Sequence, residues 1–180
     1  SAVANIATGS SLAALETVTV TGSAGLTLAA ADGDKVKTFD ASATSGAITA
    51  TIDGAVATYT GGSGKDTITL ATSTALTKAI NLGAGDDTLS FGALTVTSSA
   101  QMLTGGEGTD TLSMSTASAA GLDADATFST KLSGFERLTI NDSAATQTID
   151  LANLGFTNYV TTSGSAGTLT LDKLANNATV

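Results

Sequence analysis

The chain has 180 residues, of which 42% are hydrophobic but only 4% aromatic, and it contains 20 Gly and no Pro, Cys, His or Trp. Its 16 acidic and 7 basic residues give a formal net charge of −9, which opposes binding to nucleic acid phosphates and makes hard cations the expected partners. The absence of Cys and His excludes disulfides, thiolate metal sites and an imidazole base, and no apolar run reaches the roughly 20 residues of a membrane span.

The N-terminal part contains one copy of a repeat that returns near the C-terminus. Residues 12–20 (LAALETVTV) match residues 132–140 (LSGFERLTI) at apolar, acidic and Thr positions. Residues 36–40 (VKTFD) have the same start, and Asp40 follows Glu16 after 24 residues (40 − 16 = 24). Because Glu16 and Glu136 occupy matching points of the repeat, we expect each to make a structural hydrogen bond at a corner of the fold.

The middle of the chain contains three similar segments, at 61–69 (GGSGKDTIT), 82–90 (LGAGDDTLS) and 105–113 (GGEGTDTLS). Their aspartates Asp66, Asp87 and Asp110 are separated by 21 (87 − 66) and 23 (110 − 87) residues. The first and third segments fit the calcium-binding β-roll repeat G-G-x-G-x-D-x-U-x, in which U is a large apolar residue. The second has Leu82 in place of the first glycine. Beyond them, the Ser/Thr/Gly/Ala-rich composition of residues 115–126 (STASAAGLDADA) leaves disorder open as an alternative.

Short pairs of apolar residues that flank one polar position recur along the chain and indicate strands with one buried face. Such strands cannot stand alone, but coils stacked about 4.8 Å apart can share one core. At about 22 residues per coil, the sequence predicts an all-β, right-handed parallel β-solenoid of roughly eight coils of about 20–24 residues. We expect one domain over 1–180, with the calcium-binding coils at about 59–114. An antiparallel β-sandwich is the alternative fold.

The glycine–aspartate segments combine the groups that a calcium loop needs. Glycine permits backbone angles that turn carbonyl oxygens inward, aspartate supplies a carboxylate, and an oxygen-only ligand set selects a hard ion such as Ca²⁺. The candidate metal-site residues are Gly61, Gly62, Gly64, Asp66, Gly83, Gly85, Asp87, Gly105, Gly106, Gly108 and Asp110.

Stacking of these loops would itself favour a cation. Carboxylates ~4.8 Å apart repel each other by about 1 kcal/mol in water and by about 3–4 kcal/mol at an effective dielectric constant near 20. A divalent ion between successive loops reverses that sign, and three loops define about two sites, with Asp86 and Glu107 as additional charge. The alternative is that each Asp only closes a tight turn by bonding its own backbone.

Six other acidic side chains outside the repeats are expected to be solvated turn residues rather than ligands. They are Asp32, Asp34, Asp123, Asp125, Asp142 and Asp150.

The run from Tyr59 to Leu138, with its segments GGSGKD, LGAGDD, GGEGTD and SGFERL, resembles the calcium-dependent S-layer proteins of Gram-negative bacteria, within the wider RTX group of secreted proteins. Residues 36–42 (VKTFDAS) and 15–18 (LETV) are similar to other repeats of that family. The resemblance implies that the glycines and aspartates of the three loops bind Ca²⁺, with ions along one edge of the solenoid. Leu82 departs from the family pattern in the middle loop.

The resemblance also implies a function and a location. Such proteins leave the cell through a one-step type I (ABC-type) system, fold in extracellular calcium and associate into a two-dimensional lattice on the cell surface. We therefore expect an internal segment of a structural S-layer protein, whose partners are calcium ions, neighbouring copies and a cell-surface glycan or lipopolysaccharide. No nucleic acid or membrane-spanning contact is expected.

Two other functions compete with this interpretation. We do not expect an enzyme, because Ser and Thr have no evident base and Arg137 is the only arginine. A ligand-binding adhesin of the RTX type, which binds carbohydrate or ice, is the main alternative. T-x-T pairs occur at Thr19/Thr21, Thr49/Thr51, Thr67/Thr69 and Thr95/Thr97. Ice binding would require a regular threonine grid at one position of every coil, and the sequence spacing does not indicate one.

Overall fold

Segments that alternate Thr or Ser with a large apolar residue form strands along the chain, since this pattern suits a sheet with one buried face. The computed structural model describes residues 4–6, 15–28, 35–71, 75–92, 94–141, 146–156, 158–164 and 167–180. The strands in these ranges are β1 (Ala4–Ile6), β2 (Thr17–Gly22), β3 (Leu26–Leu28), β4 (Thr38–Thr44), β5 (Ile48–Asp53), β6 (Thr58–Thr60), β7 (Thr67–Ala71), β8 (Ala75–Leu76), β9 (Ile80–Ala84), β10 (Thr88–Ser90), β11 (Ser98–Ser99), β12 (Leu103–Glu107), β13 (Thr111–Ser115), β14 (Leu132–Ser133), β15 (Arg137–Asn141), β16 (Gln147–Asp150), β17 (Val160–Thr162) and β18 (Leu169–Asp172).

The strands pair in parallel throughout the described part of the chain. The long sheet has eight strands in the order β1-β3-β5-β7-β10-β13-β15-β17, the second sheet has six in the order β14-β12-β9-β6-β4-β2, and β8/β11 and β16/β18 form two short sheets. Each circuit passes from the second sheet to the long sheet, so the fold is a parallel β-solenoid. The predicted all-β solenoid is confirmed, and the antiparallel sandwich is wrong. The stack has about six turns instead of roughly eight, and its right-handed sense stays a prediction.

Coil length varies more than the sequence pattern indicated. At one corner of the solenoid, Ile48 lies over Asp66 after 18 residues, and Asp66 over Asp87 after 21. Asp87 lies over Asp110 after 23 residues, and Asp110 over Glu136 after 26. The shortest and longest coils therefore fall outside the predicted range of about 20–24 residues. A coil can absorb extra residues away from the sheets without changing strand register.

The longest coil absorbs its extra residues in a helix at the position where disorder was the alternative. Helix α1 (Thr116–Asp123) starts after Ser115, whose side chain accepts a hydrogen bond from the Ser118 N–H and caps the first turn. The Ser118 hydroxyl in turn donates to the Leu94 carbonyl at 2.6 Å. Leu122 is fully buried. The alternative of disorder at 115–126 is wrong, because small residues here allow close packing. A 3₁₀ helix (Phe128–Lys131) follows.

A single core runs along the solenoid axis. Inward-facing residues of the long sheet are stacked in register and almost fully buried, and one such column contains Ala50, Ile68, Leu89, Leu112, Leu138 and Val160. Phe39 and Tyr59 of the second sheet pack with ring centroids 5.2 Å apart at a tilted angle of 53°. Apolar burial of this kind is the main stabilising contribution, and it fixes the register of every loop between the sheets.

The two predicted Glu corners are not equivalent. Glu16 precedes a strand of the second sheet and pairs with Lys37 on the surface, at 2.6 Å. Glu136 precedes a strand of the long sheet and accepts a hydrogen bond from the Asp110 N–H. Both glutamates accept a hydrogen bond, as expected, but only Glu136 accepts it from a backbone N–H. The sequence match between 12–20 and 132–140 does not correspond to equivalent places in the fold, because the two glutamates precede strands of different sheets. Residues 12–14 lie outside the described residues. Asp40 lies beside Thr19, not at the level of Glu16.

Candidate metal centre

The three glycine–aspartate loops connect the second sheet to the long sheet and lie directly over one another. Strand pairing places Thr67, Thr88 and Thr111 side by side, immediately after the three aspartates. Gly83 and Gly106 are likewise paired at the start of two of the loops. The predicted stacking of Asp66, Asp87 and Asp110 is therefore confirmed. Leu82 is fully buried and does not disturb the register of the middle loop.

Tight stacking explains why these loops need glycine. Gly106 has φ +122°, and a Cβ built there would collide with the Gly83 carbonyl oxygen of the preceding coil. Gly62 has no positive φ, yet a Cβ would strike the Thr44 carbonyl oxygen. Positive φ occurs at Gly83, Gly85, Gly106 and Gly108, whereas Gly61, Gly62, Gly64 and Gly105 are required by close approach alone. The loops therefore direct backbone carbonyls at the next coil.

The carboxylates form a hydrogen-bonded column, hereafter the carboxylate column, made of Asp66, Asp87, Asp110 and Glu136. Each accepts the backbone N–H of the residue one coil earlier. Asp66 Oδ1 accepts from Ile48 at 2.8 Å, and Asp87 Oδ1 accepts from Asp66 at 2.6 Å. Asp110 Oδ1 accepts from Asp87 at 2.8 Å, and Glu136 Oε2 accepts from Asp110 at 2.8 Å. These bonds join neighbouring coils, which the tight-turn interpretation does not explain.

The three aspartates are buried, but their second oxygens differ. Asp66, Asp87 and Asp110 expose at most 1% of their surface. Asp66 Oδ2 accepts a hydrogen bond from the Tyr59 hydroxyl at 2.7 Å. Asp87 Oδ2 and Asp110 Oδ2 are buried without a hydrogen-bond partner among the described residues. A buried acceptor without a donor costs about 1–3 kcal/mol, and more when it is charged, so these two oxygens favour a proton or a cation.

The pKa shifts of the column also indicate that its carboxylates favour a proton or a cation. Burial, with the charges of Asp66, Asp110 and Asp86 adding to it, raises the pKa of Asp87 to about 7, against the hydrogen bond from Asp66. Burial also raises the pKa of Asp110, to which the charge of Glu136 contributes. Burial raises the pKa of Asp66, opposed by hydrogen bonds from Tyr59, Ile48 and Gly62. The negative form of the column is therefore unstable without a compensating positive charge.

The donor set fits calcium in its chemistry. Within the described ranges, no three acidic side chains form a cluster that could hold a metal by themselves. A Ca²⁺ ion takes about 6–8 oxygen ligands and accepts backbone carbonyls among them. The carbonyl oxygens of Gly62, Gly83 and Gly85 face the glycines of the next loop, and the Gly134 carbonyl oxygen lies in the same small volume as Asp110 Oδ2. Carboxylates with carbonyls, and no nitrogen or sulfur, match a hard cation.

The other acidic residues mostly behave as predicted. Asp86 is exposed and accepts the Thr109 N–H at 3.0 Å, at the edge of the column, and Glu107 is exposed. Asp125 and Asp150 accept backbone N–H groups within their own turns, as expected. Asp123 accepts a hydrogen bond from Asn153. Asp32, Asp34 and Asp142 lie outside the described residues.

Sequence reasoning did not place Tyr59 or Glu136 beside the three aspartates. Glu136 lies in an SGFERL segment without the glycine–aspartate pattern, and Tyr59 lies in the strand before the first loop. The usable signal is the strand register, because Glu136 occupies the position of the three aspartates.

A regular hydroxyl surface covers the outer face of the long sheet. Two columns of Thr and Ser lie in register, and we call them the hydroxyl columns: Thr27, Thr49, Thr67, Thr88 and Thr111 in the first, and Thr51, Thr69, Ser90, Ser113, Thr139 and Thr161 in the second. Neither column is threonine in every coil, because Asn5 and Arg137 continue the first and Ser90 and Ser113 belong to the second, so the described strands contain no strict threonine grid. The mixed columns were hidden in the sequence because coil length varies from 18 to 26 residues.

Comparison with known proteins does not identify the chain: no family model, curated protein or solved structure matches it. In the described part of the chain, none of the helices combines the length and apolar character needed to cross a bilayer. The fold and the site thus define a parallel β-solenoid with a buried carboxylate column at one corner.

Proposed function

We propose that the chain is a structural module of a secreted bacterial cell-surface (S-layer) protein, in which the stacked loops bind Ca²⁺ and couple folding to assembly. The observation that carries the proposal is the carboxylate column, in which Asp87 and Asp110 each bury an oxygen without a partner among the described residues. The RTX-like spacing of the three loops supports calcium as the cation and the cell surface as the location.

Carboxylate oxygens and backbone carbonyl oxygens would each provide part of the ligand set for the ion. Asp87 and Asp110 supply carboxylate oxygens, and the Gly83 and Gly85 carbonyls supply neutral oxygens from the same corner. The ion would supply the positive charge that the buried carboxylates lack. Because these ligands belong to different coils, binding requires the folded stack and stabilises it by mass action.

Charge also connects the ion to assembly. The chain has a net charge of −9, and copies with that charge repel one another. The long sheet presents an outer face of Thr and Ser in the hydroxyl columns, which offers a flat, uncharged area for lateral contact. Neutralisation of the column lowers the repulsion and leaves such faces free to associate.

We test this with the full chain in sedimentation velocity, with calcium and after chelation. We expect wild type to associate into larger species with calcium and to return to the smallest species with EDTA. Asp87→Asn keeps an oxygen for the Asp66 N–H but removes the charge, so its association should lose calcium dependence. Asp125→Asn, at an exposed turn, is the control and should behave as wild type. Identical profiles for wild type with calcium and with EDTA would contradict the proposal.

A second candidate function rests on the hydroxyl columns. A rigid, regular array of hydroxyls is the surface expected of an adhesin module that binds ice or a repetitive carbohydrate, as the RTX resemblance also allows. The same samples separate the candidates: ice binding would appear as freezing hysteresis, which Thr88→Lys in the centre of the first column should abolish. No hysteresis in wild type removes the ice-binding candidate and leaves the structural one intact.

A further inference from the structure

The end of the carboxylate column near Tyr59 differs from the end near Glu136. Asp66 has a hydrogen-bond donor for both oxygens, Ile48 N–H at 2.8 Å and the Tyr59 hydroxyl at 2.7 Å. Asp87 and Asp110 have a donor for Oδ1 only, among the described residues. Asp66 therefore has no carboxylate oxygen without a donor, whereas Asp87 and Asp110 each have one.

Strand register explains this difference. Tyr59 pairs with Ile80, Ile80 with Leu103, and Leu103 with Leu132. The position that carries a phenol beside Asp66 thus carries an aliphatic side chain in each of the next three coils. An aliphatic side chain cannot donate a hydrogen bond, so Asp87 Oδ2 and Asp110 Oδ2 stay without a partner in their own coils. The three loops share a similar sequence motif, but the side chain at the Tyr59 position of the register differs between the first loop and the other two.

The far end of the column carries a carboxylate outside the motif. Glu136 lies one coil beyond Asp110 and accepts its N–H at 2.8 Å, as an aspartate does in the earlier coils. A Cβ built on Gly105 would collide with the Gly134 carbonyl oxygen and lie 2.8 Å from Asp110 Oδ2. That carbonyl and the unpartnered Asp110 oxygen therefore border the same small volume, between the third loop and Glu136.

This end is also accessible. Glu136 is exposed, and it lines an open cleft of ≈ 350 Å³ together with Phe135, Gly155, Phe156 and Asn158. The cleft opens Glu136 to solvent, so an ion can reach this carboxylate without unfolding of the stack. Leu82 lies between Gly61 and Gly105 in the strand register and carries a buried apolar side chain where the first and third loops have glycine.

We infer that calcium occupies the Asp87–Asp110 and Asp110–Glu136 intervals, that Glu136 is a ligand outside the RTX motif, and that Asp66 is a structural carboxylate sealed by Tyr59. This inference rests on the proposed calcium binding and changes which residues carry it out. Glu136 takes the place that the sequence motif assigns to Asp66, and the bound ions are displaced by one coil toward the C-terminus.

Two isosteric variants test it by the number of ions retained, measured by native mass spectrometry on the full chain. Glu136→Gln and Asp66→Asn each remove one negative charge and keep an oxygen for the backbone N–H. We expect wild type to retain two Ca²⁺ ions, Glu136→Gln to retain one, and Asp66→Asn to retain two. Circular dichroism of both variants checks that the solenoid is folded.

The opposite pattern, in which Asp66→Asn loses an ion and Glu136→Gln loses none, would overturn the inference and leave the proposed calcium function standing on the three motif loops. Retention of both ions by both variants would also overturn it. Absence of bound calcium in wild type would instead contradict the proposed function itself. If Asp66→Asn fails to fold, Glu136→Gln decides alone: retention of both ions by this variant overturns the inference.

Discussion

A buried carboxylate is stable in two forms, protonated or ionised beside a cation, because an isolated buried charge loses much of its hydration free energy. Asp87 and Asp110 are in this situation, with one oxygen bonded to a backbone N–H and the other without a partner among the described residues. The balance between the two forms determines how the protein responds to pH and to calcium.

This balance gives a pH dependence of stability with a definite sign. The pKa of Asp87 rises from 3.8 to about 7 on folding, so the folded chain binds more protons than the unfolded chain between those values. Without calcium, the free energy of unfolding should therefore be highest below pH 4 and fall as pH rises through about 7, by on the order of 4 kcal/mol from this group. Urea unfolding of calcium-free protein at a series of pH values measures it.

Asp87→Asn serves as the comparison for that experiment. Its amide does not titrate, so the part of the fall in stability that Asp87 contributes should disappear, while the part from Asp66 and Asp110, whose pKa burial also raises, should remain. Saturating calcium should likewise remove the fall in wild type, because the ion replaces the proton. Stability of the calcium-free wild type that increases over this range would contradict a buried, uncompensated Asp87.

At the residue scale, the sequence predicted the three aspartates because their ligand pattern is local, within nine residues of each segment. Glu136 and Tyr59 were not assigned to the site, since each depends on a neighbour that only the folded register supplies. Glu136 is 26 residues from its partner Asp110, and Tyr59 reaches Asp66 across a loop.

At the scale of elements, each corner loop is constrained by the coil before it. Gly106 has both a positive φ and a Cβ position already filled by the Gly83 carbonyl oxygen. Gly22 has a similar φ of +88° with nothing within 4 Å of its Cβ position. Comparing the two glycines therefore distinguishes the cost of a positive φ, which both share, from the cost of a filled Cβ position, which only Gly106 has.

Substitution by alanine should reveal the difference. Gly22→Ala should lower the free energy of unfolding by about 1–2 kcal/mol, the cost of a left-handed conformation for an L-residue. Gly106→Ala adds a collision between backbones and should cost more, by at least about 1–3 kcal/mol, and should weaken calcium binding. Urea unfolding of both variants tests this, and equal losses would show that the stacked loops are not tightly packed.

Element identity was easier to predict than element position. The apolar pairs that predicted strands, such as Ile68/Leu70 and Leu112/Met114, all have at least one residue in a strand of the solenoid. Helix α1 was missed because its small residues resemble a disordered segment, and only the Ser115 cap and buried Leu122 distinguish it. The hydroxyl columns were missed because equal spacing in sequence is not needed for equal position in the stack.

At the scale of the whole molecule, the carboxylate column and the hydroxyl columns lie in different places along the same strands of the long sheet. The corner before the long sheet carries the carboxylate column, and the outer face of that sheet carries the hydroxyl columns. Calcium at the corner would further stabilise the coil register that the apolar core sets, and this register gives the hydroxyls their regular spacing. Binding at one surface can thereby control order at the other.

Calcium titration by calorimetry of the full chain, wild type beside Asp87→Asn, examines the carboxylate column most directly. We expect saturable binding to wild type, accompanied by proton release near pH 7 because Asp87 must lose its proton, and loss of at least one site in the variant. Absence of a calcium-dependent heat in the folded wild-type chain, or identical titrations of the two proteins, would show that the buried carboxylates are held by protons and hydrogen bonds alone.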